Sequence, residues 1–133
     1  MNSTPSESSK ALEKAEDALK SAEYDVIGGF TLAAANRAYY SCYYCMVAML
    51  YTKNVYAKTH QGIRAKFTEL FIKESSAFPL VASDIITMLF NYRQEADYDL
   101  DADITIDEAR VILDKATEFY NLTVVFLQKN GND

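Results

Sequence analysis

The stretch from Phe30 to Lys53 reads FTLAAANRAYYSCYYCMVAMLYTK and decides the fold. Its apolar and aromatic residues follow a helical period rather than alternating as in a strand. Ala33, Arg37, Tyr40, Tyr44, Val47 and Tyr51 fall on one side, and Ala35, Tyr39, Cys42, Met46 and Met49 on another. A helix that is apolar most of the way round is contacted on several sides, so this segment is expected to be central.

The flanking segments fit helices around it. Thr4-Pro5-Ser6-Glu7 is a start signal, with Thr4 as cap, Pro5 in the first turn and Glu7 closing a capping box. Leu12, Ala15, Leu19 and Ala22 follow at helical spacing, to an end expected near Asp25, before Gly28-Gly29. Thr59 is placed to cap a short helix over 61–72 that turns Ile63, Phe67, Leu70 and Phe71 inward. Pro79 is expected to open a helix carrying Val81, Ile85, Met88, Leu89 and Tyr92 and ending around Asp97. Thr105-Ile106-Asp107-Glu108 is a second capping box, ahead of a last helix with Ile112, Ala116, Tyr120, Thr123 and Leu127 on its inner stripe. The sum is all-α: an up-and-down antiparallel four-helix bundle with an additional short helix, forming one domain over residues 4–130.

With 133 residues and half of them apolar, the chain supports one hydrophobic core without disulfides or a structural metal. A formal net charge of −6 argues against general electrostatic coating of nucleic acid, though it leaves room for a local basic site. Such a site is offered by residues 53–73, where Lys53, Lys58, Arg64, Lys66 and Lys73 face one acid, Glu69, and surround the single histidine, His60. The segment either receives a phosphate backbone or is a solvated face. Asn36 and Arg37 break the apolar run, which argues against a membrane span, and the N-terminus lacks a basic-then-apolar leader pattern, so a cytoplasmic protein is expected. Cys42 and Cys45 lie mid-helix, away from any helix N-terminus that would acidify a thiol, and are read as reduced and unreactive.

Three motifs stand in order: Asn36-Arg37-Ala38-Tyr39-Tyr40, then Thr59-His60-Gln61-Gly62-Ile63 with Phe67, then Arg93-Gln94-Glu95-Ala96-Asp97-Tyr98. Together they resemble the HEPN superfamily (higher eukaryotes and prokaryotes nucleotide-binding), and most of all its small stand-alone prokaryotic members. The resemblance covers nearly the whole chain. It implies the same helical bundle, a homodimer, no cofactor, and a nucleotide- or RNA-binding, toxin-like role opposite a minimal nucleotidyltransferase that acts as antitoxin. Many relatives are metal-independent ribonucleases that use an arginine and, after four to six intervening residues, a histidine near the dimer interface. In some pairs the antitoxin attaches AMP to a tyrosine close by. Here Arg93 is kept, but Tyr98, Asp99 and Leu100 follow at five to seven positions, and none is histidine. Gln94, and Tyr44 with Cys45, also differ from the residues common in relatives. The alternative is therefore a non-catalytic HEPN-fold binding or dimerisation module.

The candidate site is Arg93 and Tyr98, with His60 as candidate base and Asn36, Arg37, Tyr40 and Asp97 binding nucleotide or RNA or supporting the site. Arg93 can hold a phosphate and stabilise charge on pentacoordinate phosphorus, or simply pair with Asp97 at i,i+4. Tyr98, with a side-chain type whose ordinary pKa is about 10, suits a hydrogen-bond donor or AMP acceptor better than a general base. His60 titrates near neutrality by nature, or else it only orients its helix. Tyr39, Tyr40, Tyr43 and Tyr44 either stack bases or build core and interface. No metal site is expected, although Asp97, Asp99, Asp101, Asp103, Thr105 and Glu108 match the ligand positions of a calcium loop, with Ala102 where the turn glycine belongs.

Overall fold

The structure is a computed structural model that describes residues 6–130. The helices are α1 (Glu7–Gly28), α2 (Thr31–Tyr51), α3 (His60–Phe67), α4 (Val81–Tyr98) and α5 (Ile106–Lys129). A π-helical turn, Thr68–Glu74, continues α3. No strand occurs among the described residues. α2 packs against α1, α3, α4 and α5, the central position that its all-round apolar pattern predicts.

The α1–α2 seam is built from small side chains. Ala11, Ala15, Ala18 and Ala22 of α1 are buried, as are Ala34, Ala35, Ala38 and Ala48 of α2. Two buried hydroxyls stitch the seam: Ser8 Oγ donates to the Ala48 carbonyl at 2.8 Å, and Ser41 Oγ to the Ala15 carbonyl at 2.9 Å. Across the bundle, Phe67, Phe78 and Phe119 meet with ring centroids 5.0–5.6 Å apart. Buried aromatic groups at this spacing add edge-on attraction to their area burial.

The ends of the helices follow local chemistry, and some differ from expectation. The Thr4 cap and Pro5 lie outside the described residues. Among those described, Ser6 caps α1 by accepting from Ser9 N at 3.0 Å. α1 runs on past Asp25 to Gly28, because the left-handed backbone that ends it falls on Gly29 (φ 79°), where Phe30 N returns to the Asp25 carbonyl. α3 starts at His60 and is extended by the π turn to Glu74, two residues beyond the expected end. The wider turn lets two adjacent residues, Phe71 and Ile72, both face the core. α4 begins at Val81 rather than at Pro79, which instead accepts from Ala82 N in a lead-in turn.

The Thr105 capping box forms as read: Thr105 Oγ1 accepts from Glu108 N at 3.1 Å, and Glu108 Oε1 from Thr105 N at 2.9 Å. Thr105→Ala is expected to cost about 1 kcal/mol, measured as a lower urea midpoint with unchanged slope.

Candidate functional site: an arginine and a histidine among tyrosines

The three motifs converge. Arg93 is on α4, and its Nη2 donates to Tyr40 Oη of α2 at 3.1 Å. Its Nε lies 2.9 Å from Asp97 Oδ2, but the N–H does not point at a partner, so this contact is Coulombic rather than a hydrogen bond. The i,i+4 pair thus exists, although it is not the freely exposed kind: the Arg93 side chain is 14% exposed and that of Asp97 25%. Nη1 donates to Gln94 Oε1 at 3.3 Å. The guanidinium lies 5.5 Å from the ring centroids of Tyr39, Tyr40 and Tyr98. Burial pulls against the Arg93 charge, but the neighbouring Tyr40, Tyr98 and Asp97 outweigh it and hold the pKa above the ordinary value.

Asp97 is also gripped from α2. Asn36 Nδ2 donates to its two carboxylate oxygens at 3.3 and 3.1 Å, while Asn36 Oδ1 accepts from Arg37 Nε at 3.0 Å. The Arg37 guanidinium rests 5.2 Å from the Tyr40 ring centroid. The first and third motifs are therefore two halves of one polar cluster, and Asn36, Arg37, Tyr40, Asp97 and Arg93 all belong to it.

His60 comes in from the second motif. Thr59 Oγ1 accepts from Gly62 N at 2.9 Å, which caps α3 and places His60 at its first turn. A Cβ at Gly62 would stand 3.0 Å from Thr59 Oγ1, so glycine leaves room for that cap. His60 Nδ1 and Tyr39 Oη are hydrogen-bonded at 2.9 Å. The imidazole stacks on Tyr43 at 4.4 Å and meets the Tyr40 ring edge-on at 5.7 Å. Tyr39 and Tyr40 are thus shared neighbours of His60 and Arg93. Burial, and then the Arg93 charge, lower the His60 pKa below 6.5, which keeps the ring neutral near pH 7. Burial pushes the Tyr39 phenol up to about 12, so it stays protonated.

The remaining candidates are placed as follows. Tyr98 is exposed at the end of α4, with its ring over Arg93. In the basic segment, Arg64 Nη2 donates to Thr87 Oγ1 at 2.5 Å and Lys66 pairs with Glu69 at 3.5 Å. The acidic loop does not wrap a common centre: α4 carries Asp97 into the Asn36–Arg93 cluster, and Glu108 is taken by the capping box and by Tyr92 Oη at 3.1 Å. Among the described residues no group of His, Cys, Asp and Glu is arranged to hold a metal ion. Cys42 and Cys45 are buried free thiols whose pKa values burial drives up, Cys45 to about 12. No described helix is long and apolar enough to cross a membrane.

The sequence offers Tyr39 and Tyr43 only as members of a tyrosine stripe for base stacking, core or interface; in the structure both carry His60 directly.

Fold and site define an all-helical protein organised around an arginine set in a tyrosine cage. The HEPN domain family model matches residues 8–129, and the chain belongs to the HEPN family. Two proteins of Methanocaldococcus jannaschii are similar to it. "Putative toxin MJ0142" is 37% identical over 118 residues, covering 89% of this chain and 80% of that protein. "Putative toxin MJ0605" is 33% identical over 108 residues, covering 81% and 79%.

Proposed function

We propose that the protein is a toxin of the HEPN type, residues 4–130 acting as one domain, and that it is a metal-independent endoribonuclease in which Arg93 and His60 take the roles of the arginine and histidine. The observation that carries this is the meeting of a charged arginine and a neutral histidine on the same two tyrosines, Tyr39 and Tyr40. His60 takes the proton from an RNA 2′-hydroxyl, whose oxygen then bonds to phosphorus as the bond from phosphorus to the 5′-oxygen breaks. Arg93 stabilises the charge that develops on the phosphoryl oxygens. The products are a 2′,3′-cyclic phosphate and a 5′-hydroxyl, the latter protonated by water or by Tyr98. For Nε2 to be the base, Nδ1–H must donate to Tyr39 Oη; the high pKa of that phenol is compatible with its oxygen accepting.

The toxin works as a homodimer with a nucleotidyltransferase antitoxin, and Tyr98 is the residue that could accept AMP. Its exposure supports that role. Phe30, Leu100 and Tyr98 are all exposed, and the Asn36–Asp97 contact places the start of α2 and the end of α4 at one end of the bundle. An apolar end of this kind suits a second copy.

The acidic limb of the pH profile tests the base. The folded His60 pKa lies below the unfolded value, so the unfolded state holds more protons and stability falls with pH below about 6.5. The same protonation removes the base. Cleavage should rise with pH through a midpoint below 6.5 and then level off. His60→Gln should lose most activity and the limb with it. A His60→Gln enzyme with wild-type rate and pH profile rules His60 out as base.

A second reading, a binding module without catalysis, is favoured by one observation: Arg93 is already engaged by Asp97 and Tyr40. In that case Arg93 and Tyr98 support an interface.

A further inference from the structure

The site is continuous with a tyrosine trough that the reaction does not use. Tyr40, Tyr44, Val47 and Tyr51 recur at helical spacing on one face of α2, so the stripe runs roughly 16 Å along the axis from the Arg93 contact. Two adjoining depressions open along it, of about 140 and 300 Å³, and share Tyr44, Val47 and Tyr51. Tyr43, which stacks on His60, also packs edge-on to Tyr44 at 5.2 Å. At the far end Tyr51 and Tyr56 lie 5.1 Å apart, and Tyr56 is 58% exposed.

The charges along the trough are mostly positive in a protein of net charge −6. Lys10 and Lys14 of α1 form one wall. Both are exposed, and the Lys14 ammonium lies 5.6 Å from the Tyr44 ring centroid. The one acid, Glu7, is occupied by the Tyr56 hydroxyl, which donates to it at 2.6 Å. Half-buried aromatic faces flanked by lysines, leading to a phosphate-binding arginine, suit a ligand with alternating flat rings and anionic links.

We propose that this trough is a base-stacking site for single-stranded RNA, holding the nucleotides on one side of the phosphate at Arg93. The proposal rests on the RNA-binding reading above and adds to it the path of the strand. Stacking needs unpaired bases, so a duplex cannot use the trough. The lysines supply the salt-dependent part of binding and the tyrosines the part that salt does not screen.

The test is fluorescence anisotropy on the full chain with a labelled 2′-O-methyl RNA of about eight nucleotides, a length typical of such sites, which lacks the 2′-hydroxyl needed for cleavage. Tyr44→Ala and Tyr51→Ala should each weaken binding about tenfold, Tyr44→Phe should bind as wild type, and Lys14→Gln should weaken binding while flattening its salt dependence. The corresponding duplex should bind weakly and be indifferent to Tyr44→Ala. If Tyr44→Ala and Lys14→Gln both bind as wild type while Arg93→Ala does not bind, the trough is not the strand's path, yet the arginine site stands. Sedimentation showing that Tyr44→Ala halves the particle mass would make the trough a contact between copies and overturn the proposal. Wild-type protein that binds no single strand would remove the trough and the RNA reading together.

Discussion

Arg93→Ala is expected to lower RNA cleavage by about a hundred- to a thousandfold, the usual cost of removing one preorganised donor from a developing anion, and to abolish growth inhibition in cells. Arg93→Lys should rescue little of this. The guanidinium contacts Tyr40, Gln94 and Asp97 at once, and a lysine ammonium cannot keep that geometry while also presenting a flat, bidentate edge to phosphate. Arg93→Ala also leaves Asp97 facing only Asn36, so a modest loss of stability accompanies it, and a melting curve separates that loss from lost chemistry. The two functional readings part here. Lost cleavage with intact dimers supports the enzyme, while lost assembly in a protein that never cleaved supports the module. Wild-type cleavage by Arg93→Ala would sink the catalytic role of the arginine.

The largest effect on stability is expected at Phe119. Its ring is fully buried and touches Phe67 and Phe78, which bring the π-extended short helix and the loop after it onto α5. Phe119→Ala removes the shared neighbour of both rings and leaves a cavity, a change that costs about 3–5 kcal/mol in packed cores. For a protein of this size the midpoint of thermal unfolding should fall by roughly 10–20 °C. A drop of only a few degrees would show that the aromatic layer collapses into the gap. His60 is carried by the same short helix, so activity in this variant should fall at a lower temperature than global unfolding.

Much of the fold was legible because α2 announces itself. Few patterns other than a central helix place apolar residues on every side of Phe30–Lys53, and Thr105 and Glu108 marked the start of α5 to the residue. What was not legible was set by tertiary packing. The π turn after Phe67 has no sequence signature; it arises because Phe71 and Ile72 both have a core to enter. Pro79 was read as a first helical residue, but the lead-in turn places that position at Val81. At the site, the motifs named Arg93, His60 and Asn36, whereas only the folded chain brings Tyr39 and Tyr43 against His60. Two adjacent tyrosines look alike in a sequence, although on the helix Tyr39 is buried and Tyr40 half-exposed.

The cluster draws on residues far apart in the chain: His60 stands 21 residues from Tyr39, Tyr40 stands 53 from Arg93, and Asn36 stands 61 from Asp97. These three contacts, which join α2 to α3 and α2 to α4, cannot form within one helix or one hairpin. A ribosome that has released α1, α2 and α3 has therefore released only part of this cluster, because Arg93 and Asp97 arrive with the end of α4. Under the proposed ribonuclease function, a nascent chain could not cleave the RNA around it until the end of α4 had emerged, and a partner that engaged it earlier would meet it before the site was assembled.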